Sequence, residues 1–218
     1  MKKVIILSVF ALASIVSFSQ SEKYIKAMEP KVAMVDSAKT PQQFSELAAA
    51  FERIADAEKT QWLPYYYAAL AHVDAGLRTT MGKSGMAAIT DPIADKAEAL
   101  ITKAEALSKD NSEIYIVKKM IATLRMTADP MSRYMQYGPQ AQEALETAIK
   151  LNPENPRAFL LQGQDKYFTP AQFGGDKEEA MRLFKTALLK YDAAKVNSTI
   201  GPHWGKATTE YFISLGSK

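Results

Sequence analysis

Apolar residues recur along this chain with helical periodicity, and one spacing occurs four times. Each copy has one residue, a second four positions on, a third three positions further, and a helix-ending residue five positions later. The copies are Leu47-Phe51-Ile54-Lys59, Ala97-Ile101-Ala104-Lys109, Ala141-Leu145-Ala148-Pro153 and Ala180-Phe184-Ala187-Asp192. Residues four and three apart share one face of a helix, so each copy predicts an amphipathic helix. Successive copies are offset by 50, 44 and 39 residues, which is typical of a stack of repeated helical units.

A second helix is predicted upstream of each striped helix. These upstream helices cover approximately residues 22–38, 61–76, 112–126 and 156–168. In the last three units an aromatic residue follows the preceding helix end by six positions, as Tyr65, Tyr115 and Phe159. Alternating strand patterns bounded by turns are nearly absent. We therefore predict an all-α solenoid of about four antiparallel helix pairs with a C-terminal capping helix.

Proline and aspartate residues predict where the striped helices begin. Pro41, Pro92 and Pro139 each suit a first helical turn, where a missing N–H costs nothing, and Asp176 suits an N-cap. The inter-helix loops predicted from these starts are Leu77–Asp91, Thr127–Gly138 and Thr169–Gly175. All three fall at the same point of the unit and should project from one edge of the stack.

The first residues resemble a secretory signal. Lys2 and Lys3 precede an apolar run over residues 4–16, and small residues follow at Ser17 and Ser19. We predict a signal peptide over residues 1–19 and one helical domain over residues 20–218. The expected helix pairs are approximately 21–60, 61–110, 111–154 and 155–195, and the expected cap is 200–216, with Trp204, Ala207, Tyr211 and Phe212 on its inner side.

Composition narrows the classes of function. The chain has no cysteine, which excludes disulfides, thiolate catalysis and the lipid-bearing cysteine of a lipoprotein. Removal of Lys2 and Lys3 lowers the net charge from +3 to +1, and lysine and glutamate alternate along every helix. Nucleic acid is therefore not expected as a partner. No later stretch is as apolar as residues 4–16, so we expect no membrane insertion after cleavage and a periplasmic location.

The repeat resembles the tetratricopeptide repeat family. That family pairs a first helix beginning with an aromatic residue with a second helix carrying Ala, a large apolar residue, Ala and Pro. The residues that match are Ala141, Leu145, Ala148 and Pro153 in one unit, and Phe159, Gly163, Ala180, Phe184 and Ala187 in the next. The small residue expected in the first helix is present as Ala69 and Gly163 but is replaced by Lys119. The resemblance implies a protein-binding scaffold with a concave face lined by the first helices.

Two surfaces are candidates for binding. The loops carry more apolar side chains than a solvated loop needs, which suits either a cover over the core or an adaptable contact surface. The loop candidates are Met81, Met86, Met135 and Phe173. The same loops also carry the apolar residues Met131, Tyr134 and Tyr137. The candidates that the resemblance places on the concave face are Tyr66, Met120, Arg157, Gln164 and Tyr167. Arg157 could hold a carboxylate of a bound peptide.

The residues available for catalysis are few. His72 and His203 are the only histidines, too few for a three-ligand zinc site, and no strand precedes a glycine-rich phosphate loop. We expect no metal, no cofactor and no enzymatic activity. The main hypothesis is a scaffold that binds a protein or peptide; the alternative is a small-molecule carrier covered by the loops. A hydrolase that uses His72 remains as a third hypothesis, with loss of turnover in His72→Ala as its test.

Overall fold

The computed structural model describes residues 21–195 and 198–216, so the expected signal peptide lies outside the described residues. Nine α-helices occupy this part of the chain. They are α1 (Glu22–Val35), α2 (Pro41–Ala57), α3 (Trp62–Thr80), α4 (Ala87–Leu107), α5 (Ser112–Thr127), α6 (Pro130–Leu151), α7 (Pro156–Phe168), α8 (Lys177–Ala193) and α9 (Lys206–Leu215). A short 3-10 turn, Ala171–Phe173, precedes α8. The all-α prediction is confirmed.

Consecutive helices pack on one another, most extensively α5 with α6, α2 with α3, α3 with α4 and α7 with α8; α1 packs less extensively on α2, and α9 packs on α8. The repeated stripe explains the pairing, because its residues are the ones that each second helix buries. Phe51, Ile101, Leu145 and Phe184 are each at most 1% exposed. The alanines that flank them in α4, α6 and α8 are also buried, which lets neighbouring helices approach closely.

Two of the predicted helix starts are wrong. Thr40 caps α2 through a capping box and Asp176 caps α8, as expected. Pro92 and Pro139, however, lie inside α4 and α6, which begin at residues 87 and 130. Tertiary contacts stabilise the extra turns, since the Arg133 guanidinium forms two bonds of 2.6 and 2.8 Å to the Asp91 carboxylate. The first two predicted loops therefore shorten to residues 81–86 and 128–129.

Small residues in the first helices allow close helix contact. A Cβ atom on Gly163 of α7 would lie 2.5 Å from the Phe184 ring of α8, so this position requires glycine. At the equivalent place in α5, Lys119 is accommodated differently. Its side chain is 3% exposed, and its Nζ atom reaches the Asp165 carboxylate of α7 at 2.6 Å. The lysine stem fills the inter-helix space and its charge is paired.

The C-terminal cap differs in detail from the prediction. Trp204 precedes α9 instead of opening it, and Gly205, at φ 101°, turns the chain into the helix. Phe212 is buried as expected, but Tyr211 is 60% exposed and Ala207 is also exposed. Thr209 is buried, and its hydroxyl is satisfied by donating to the carbonyl of Gly205. None of the described helices has the length and hydropathy required to cross a membrane.

Candidate functional site

The concave face of the stack is crossed by the chain itself. Residues 198–205 pass over the first helices between the end of α8 and the start of α9. The Thr199 hydroxyl bonds to Glu29 of α1, and the Gly205 amide donates to Asp36, just after α1, at 2.8 Å. In α3, the Tyr67 hydroxyl donates to the Gly201 carbonyl at 2.7 Å. These contacts tie the segment to the first two helix pairs.

Trp204 is the anchor of this crossing segment. Its indole N–H donates to the Tyr66 hydroxyl at 2.8 Å, and the Tyr66 hydroxyl donates to Glu113 of α5 at 2.8 Å. Glu113 also pairs with Arg157 of α7 at 3.0 Å. The Arg157 guanidinium lies 5.2 Å from the centre of the Trp204 ring, within cation–π range. Burial, reinforced by the Glu113 charge, raises the pKa of Tyr66, so its phenol stays protonated.

The structure corrects the expectation that Tyr66, Met120 and Arg157 line an open groove. They are 0%, 6% and 4% exposed, and the segment around Trp204 covers Tyr66 and Arg157. Gln164 and Tyr167 are half-buried. Arg157 does hold a carboxylate, but that carboxylate belongs to Glu113 of the same chain. An extended peptide would have to displace residues 198–205 to reach these side chains.

A carboxyl group also lies on α3 near the crossing segment. Asp74 is half-buried, and burial raises its pKa to about 7, with the nearby Arg78 charge acting in the opposite direction. The negative charge of Asp36 reinforces the increase. Asp36 is also the group that accepts the Gly205 amide. Two acidic groups therefore share the region where the crossing segment is bound.

The exposed apolar side chains lie mainly at the edge of the stack where first helices end and second helices begin. We call these residues the loop-edge surface: Met81 (72% exposed), Met131 (86%), Tyr134 (59%), Met135 (83%), Phe168 (68%), Phe173 (64%) and Tyr211 (60%). At the opposite edge, Leu107 and Leu189 are exposed singly. Large apolar groups clustered in water mark binding surfaces, so this edge is the stronger candidate site.

Met131, Tyr134 and Met135 form the methionine end of the loop-edge surface. They lie on one side of the first turns of α6, which has 22 residues, whereas the following helix α7 has 13. At 1.5 Å per residue, α6 extends about 13 Å beyond the end of α7. The packing between α6 and α7 is also sparse. The start of α6 therefore projects past the level at which α7 ends and forms a wall at this edge of the stack.

The loop of residues 81–86, between α3 and α4, is bound close to the start of α6. The Met86 amide donates to the Ala128 carbonyl at 3.1 Å, and Arg133 joins α6 to Asp91 of α4. Met81 is exposed and Met86 is half-buried. Of the four predicted loop candidates, Met81, Met135 and Phe173 are thus mostly exposed to solvent.

Phe168, Tyr211 and Phe173 form the other end of the surface, which we call the aromatic ledge. Phe168 and Tyr211 both pack edge-on against Phe212, each with ring centres 5.7 Å apart. Phe212 in turn stacks on Phe184 with a 4.7 Å separation. The exposed rings of Phe168 and Tyr211 are thus held by buried ones. A flat apolar ligand could stack on these rings with little side-chain ordering.

Sequence reasoning missed Phe168 and Tyr211 as candidate site residues. Tyr211 was expected on the inner side of the last helix, and Phe168 was expected only as a helix end. The signal that distinguishes them is the pair of adjacent aromatics, Tyr167-Phe168 and Tyr211-Phe212. Adjacent helical residues point about 100° apart, so both members of such a pair cannot face the core equally.

The histidines lie away from the loop-edge surface. His72 Nε2 lies 2.6 Å from Glu52 Oε1, which also accepts from Lys96 at 2.8 Å. Burial lowers the pKa of His72, although the Glu52 carboxylate partly compensates. His203 is exposed on the crossing segment, with Nδ1 at 2.8 Å from the Gly201 carbonyl. Among the described residues, no group of three or more His, Asp or Glu side chains could hold a metal ion.

Comparisons with known proteins identify a solved structure that is similar to this chain. No protein-family model matches the chain, and no curated protein matches its sequence. Among solved structures, the chain is similar to the HusA haemophore from Porphyromonas gingivalis. The two are 35% identical, with a TM-score of 0.78, and the match covers 90% of this chain and 94% of that chain. The chain belongs to the family of the HusA haemophore.

Proposed function

We propose that this protein is a haem carrier that binds its ligand on the loop-edge surface. The observation that carries the proposal is the similarity to the HusA haemophore along nearly its whole length. A haemophore binds haem, whose ring is flat, wide and apolar. The loop-edge surface offers flexible methionine side chains at one end and rigid aromatic rings at the other. Both suit contact with a planar π system.

The expected binding mode follows from the two ends of this surface. The wall formed by Met131 and Met135 at the start of α6 would cover one part of the ligand, and Phe168 of the aromatic ledge would stack against another. Methionine adapts its shape at low cost, because its thioether chain is unbranched. Burial of a Met or Phe side chain stabilises a complex by about 1.5–3 kcal/mol.

The protein-binding scaffold, the main hypothesis from the sequence, is supported less well. Residues 198–205 cover part of the concave face that a peptide would use, with Trp204 on the aromatic and charged groups. The open loop-edge surface could bind a protein, but the comparison favours a small ligand. We also propose that the protein is not an enzyme and acts outside the cytoplasm, which agrees with the signal-like first residues.

A titration with iron protoporphyrin IX tests the proposal. We expect the purified protein to shift the haem absorption band and to quench tryptophan fluorescence at a defined stoichiometry. The double variant Met131→Ser/Met135→Ser should weaken binding about tenfold or more, because two apolar contacts are lost. Both residues are more than 80% exposed, so the substitutions should leave the fold intact.

Leu189→Ser is the matched control. Leu189 is 70% exposed, but it lies near the end of α8 at the opposite edge of the stack. The control variant should bind haem like the parent protein. Absence of haem binding by the parent protein refutes the function, and equal loss in the control refutes the site.

A further inference from the structure

Two lysines flank the aromatic ledge without a carboxylate partner in the described part of the chain. Lys166, near the end of α7, places its Nζ atom 3.1 Å from the Gly174 carbonyl. Lys177, at the start of α8, places its Nζ atom 5.4 Å from the centre of the Tyr167 ring. An ammonium group has three donors, so each lysine retains donors for an incoming anion. The two cations lie on either side of the loop that carries Phe173.

Other charged groups near the edge are already engaged. At the methionine end, Arg133 is held by Asp91 through two bonds. On α8, Arg182 is held by Glu179 at 2.7 Å. Among the described residues, Lys166 and Lys177 therefore remain beside the ledge as cations that can contact a ligand.

The adjacent acidic residue Asp176 is already bound by backbone donors. Asp176 accepts the backbone amides of Glu178 and Glu179, each at 2.9 Å. The bond from the Glu179 amide is the main reason that the pKa of Asp176 is lowered. Asp176 is therefore a fixed helix cap, whose charge the start of α8 offsets. The Lys166 charge also contributes to the lowered pKa of Asp176, but Asp176 keeps its two backbone partners if the Lys166 side chain turns towards a ligand.

We propose that Lys166 and Lys177 bind the two propionate carboxylates of a tetrapyrrole whose ring lies on the aromatic ledge. The site thereby selects dicarboxylate macrocycles over uncharged ones. This inference rests on the proposed function and assigns the polar part of the same site. It follows the general design of ligand sites, in which an apolar surface supplies contact and a few charged groups fix orientation.

Comparison of iron protoporphyrin IX with its dimethyl ester tests this inference. The ester keeps the ring and the iron but removes both negative charges. An exposed ion pair contributes about 2- to 5-fold in affinity, so with two such pairs the diacid should bind about 4- to 25-fold more tightly than the ester. Raising the salt concentration from 50 to 500 mM should weaken diacid binding and leave ester binding nearly unchanged.

The double variant Lys166→Met/Lys177→Met should lose this preference, with the diacid weakened to the level of the ester and ester binding retained. Lys83→Met is the matched control, because Lys83 is an exposed lysine of the same edge that also bonds a backbone carbonyl. It should keep the preference.

The outcomes separate the two proposals. If the parent protein binds diacid and ester equally, or if the double variant keeps the full preference, the assignment of the lysines is overturned and the carrier function stands. If the parent protein binds neither compound, the carrier function fails and the assignment fails with it.

Discussion

Removal of the Trp204 side chain should destabilise the whole protein, although Trp204 belongs to no helix. Its indole is 8% exposed, and it contacts the Arg157 guanidinium and bonds to the Tyr66 hydroxyl. Substitution by alanine leaves a cavity beside the buried Glu113–Arg157 pair. Large-to-small substitutions of buried aromatic residues cost about 3–5 kcal/mol. We expect Trp204→Ala to lower the free energy of unfolding by that amount.

Trp204→Phe separates packing from hydrogen bonding. Phenylalanine fills most of the volume but has no N–H group, and Tyr66 keeps its own bond to Glu113. Trp204→Phe should lower the free energy of unfolding by about 1–2 kcal/mol, because one buried hydrogen bond is lost and the side-chain volume changes little.

Urea unfolding measures both variants. The chain has two tryptophans, so Trp62, which packs edge-on against Tyr66 at 5.4 Å, remains as the fluorescence probe. The midpoint should fall while the m-value stays constant, because the same surface is exposed on unfolding. A decrease of less than about 1 kcal/mol for Trp204→Ala would refute the anchoring role. In that case residues 198–205 would not be held on the concave face.

Three further predictions concern packing and electrostatics and are tested by the same measurement. Gly163→Ala should cost about 1–3 kcal/mol, because its Cβ atom would lie 2.5 Å from a buried ring; Gly138→Ala, where the neighbouring ring is exposed, should cost clearly less. The pKa of Asp74 is raised to about 7 in the folded state, above the value of about 4 in the unfolded chain. The protonated carboxyl group is therefore favoured by folding. Its contribution to stability is complete below about pH 4 and is lost as the pH rises through 7. Asp74→Asn should therefore increase stability by about 1–3 kcal/mol at pH 8 and have no effect at pH 4; a pH-independent effect contradicts the assignment. Asp165→Asn should destabilise more than Lys119→Met, because it leaves the buried Lys119 ammonium without its charged partner; the reverse order would show that the Lys119 charge does not depend on Asp165.

The helix stack could be predicted because its signals are local. A stripe such as Ala141-Leu145-Ala148 lies within two turns of one helix, and its burial follows from helical periodicity alone. The Asp176 cap is equally local. The same reasoning failed at Pro92 and Pro139, because it placed each helix start at the nearest proline. The Arg133–Asp91 pair that stabilises the extra turns joins residues 42 positions apart.

The candidate site was only partly predictable for the same reason. The exposure of Met81, Met135 and Phe173 agrees with their excess apolar character in the sequence. The concave residues Tyr66 and Arg157 looked accessible because no local pattern shows that residues 198–205 return across the stack. That return depends on contacts such as Gly205 with Asp36, separated by 169 positions.

The contacts between the crossing segment and α1 affect how the protein must fold. Repeat stacks usually acquire structure unit by unit, because each unit touches only its neighbours. Here Glu29 and Asp36 near the start of the domain receive their partners Thr199 and Gly205 near its end. The concave side of the first helices therefore stays incomplete until residues 198–205 have been synthesised. Folding should then be more cooperative and slower than in an open array of the same length.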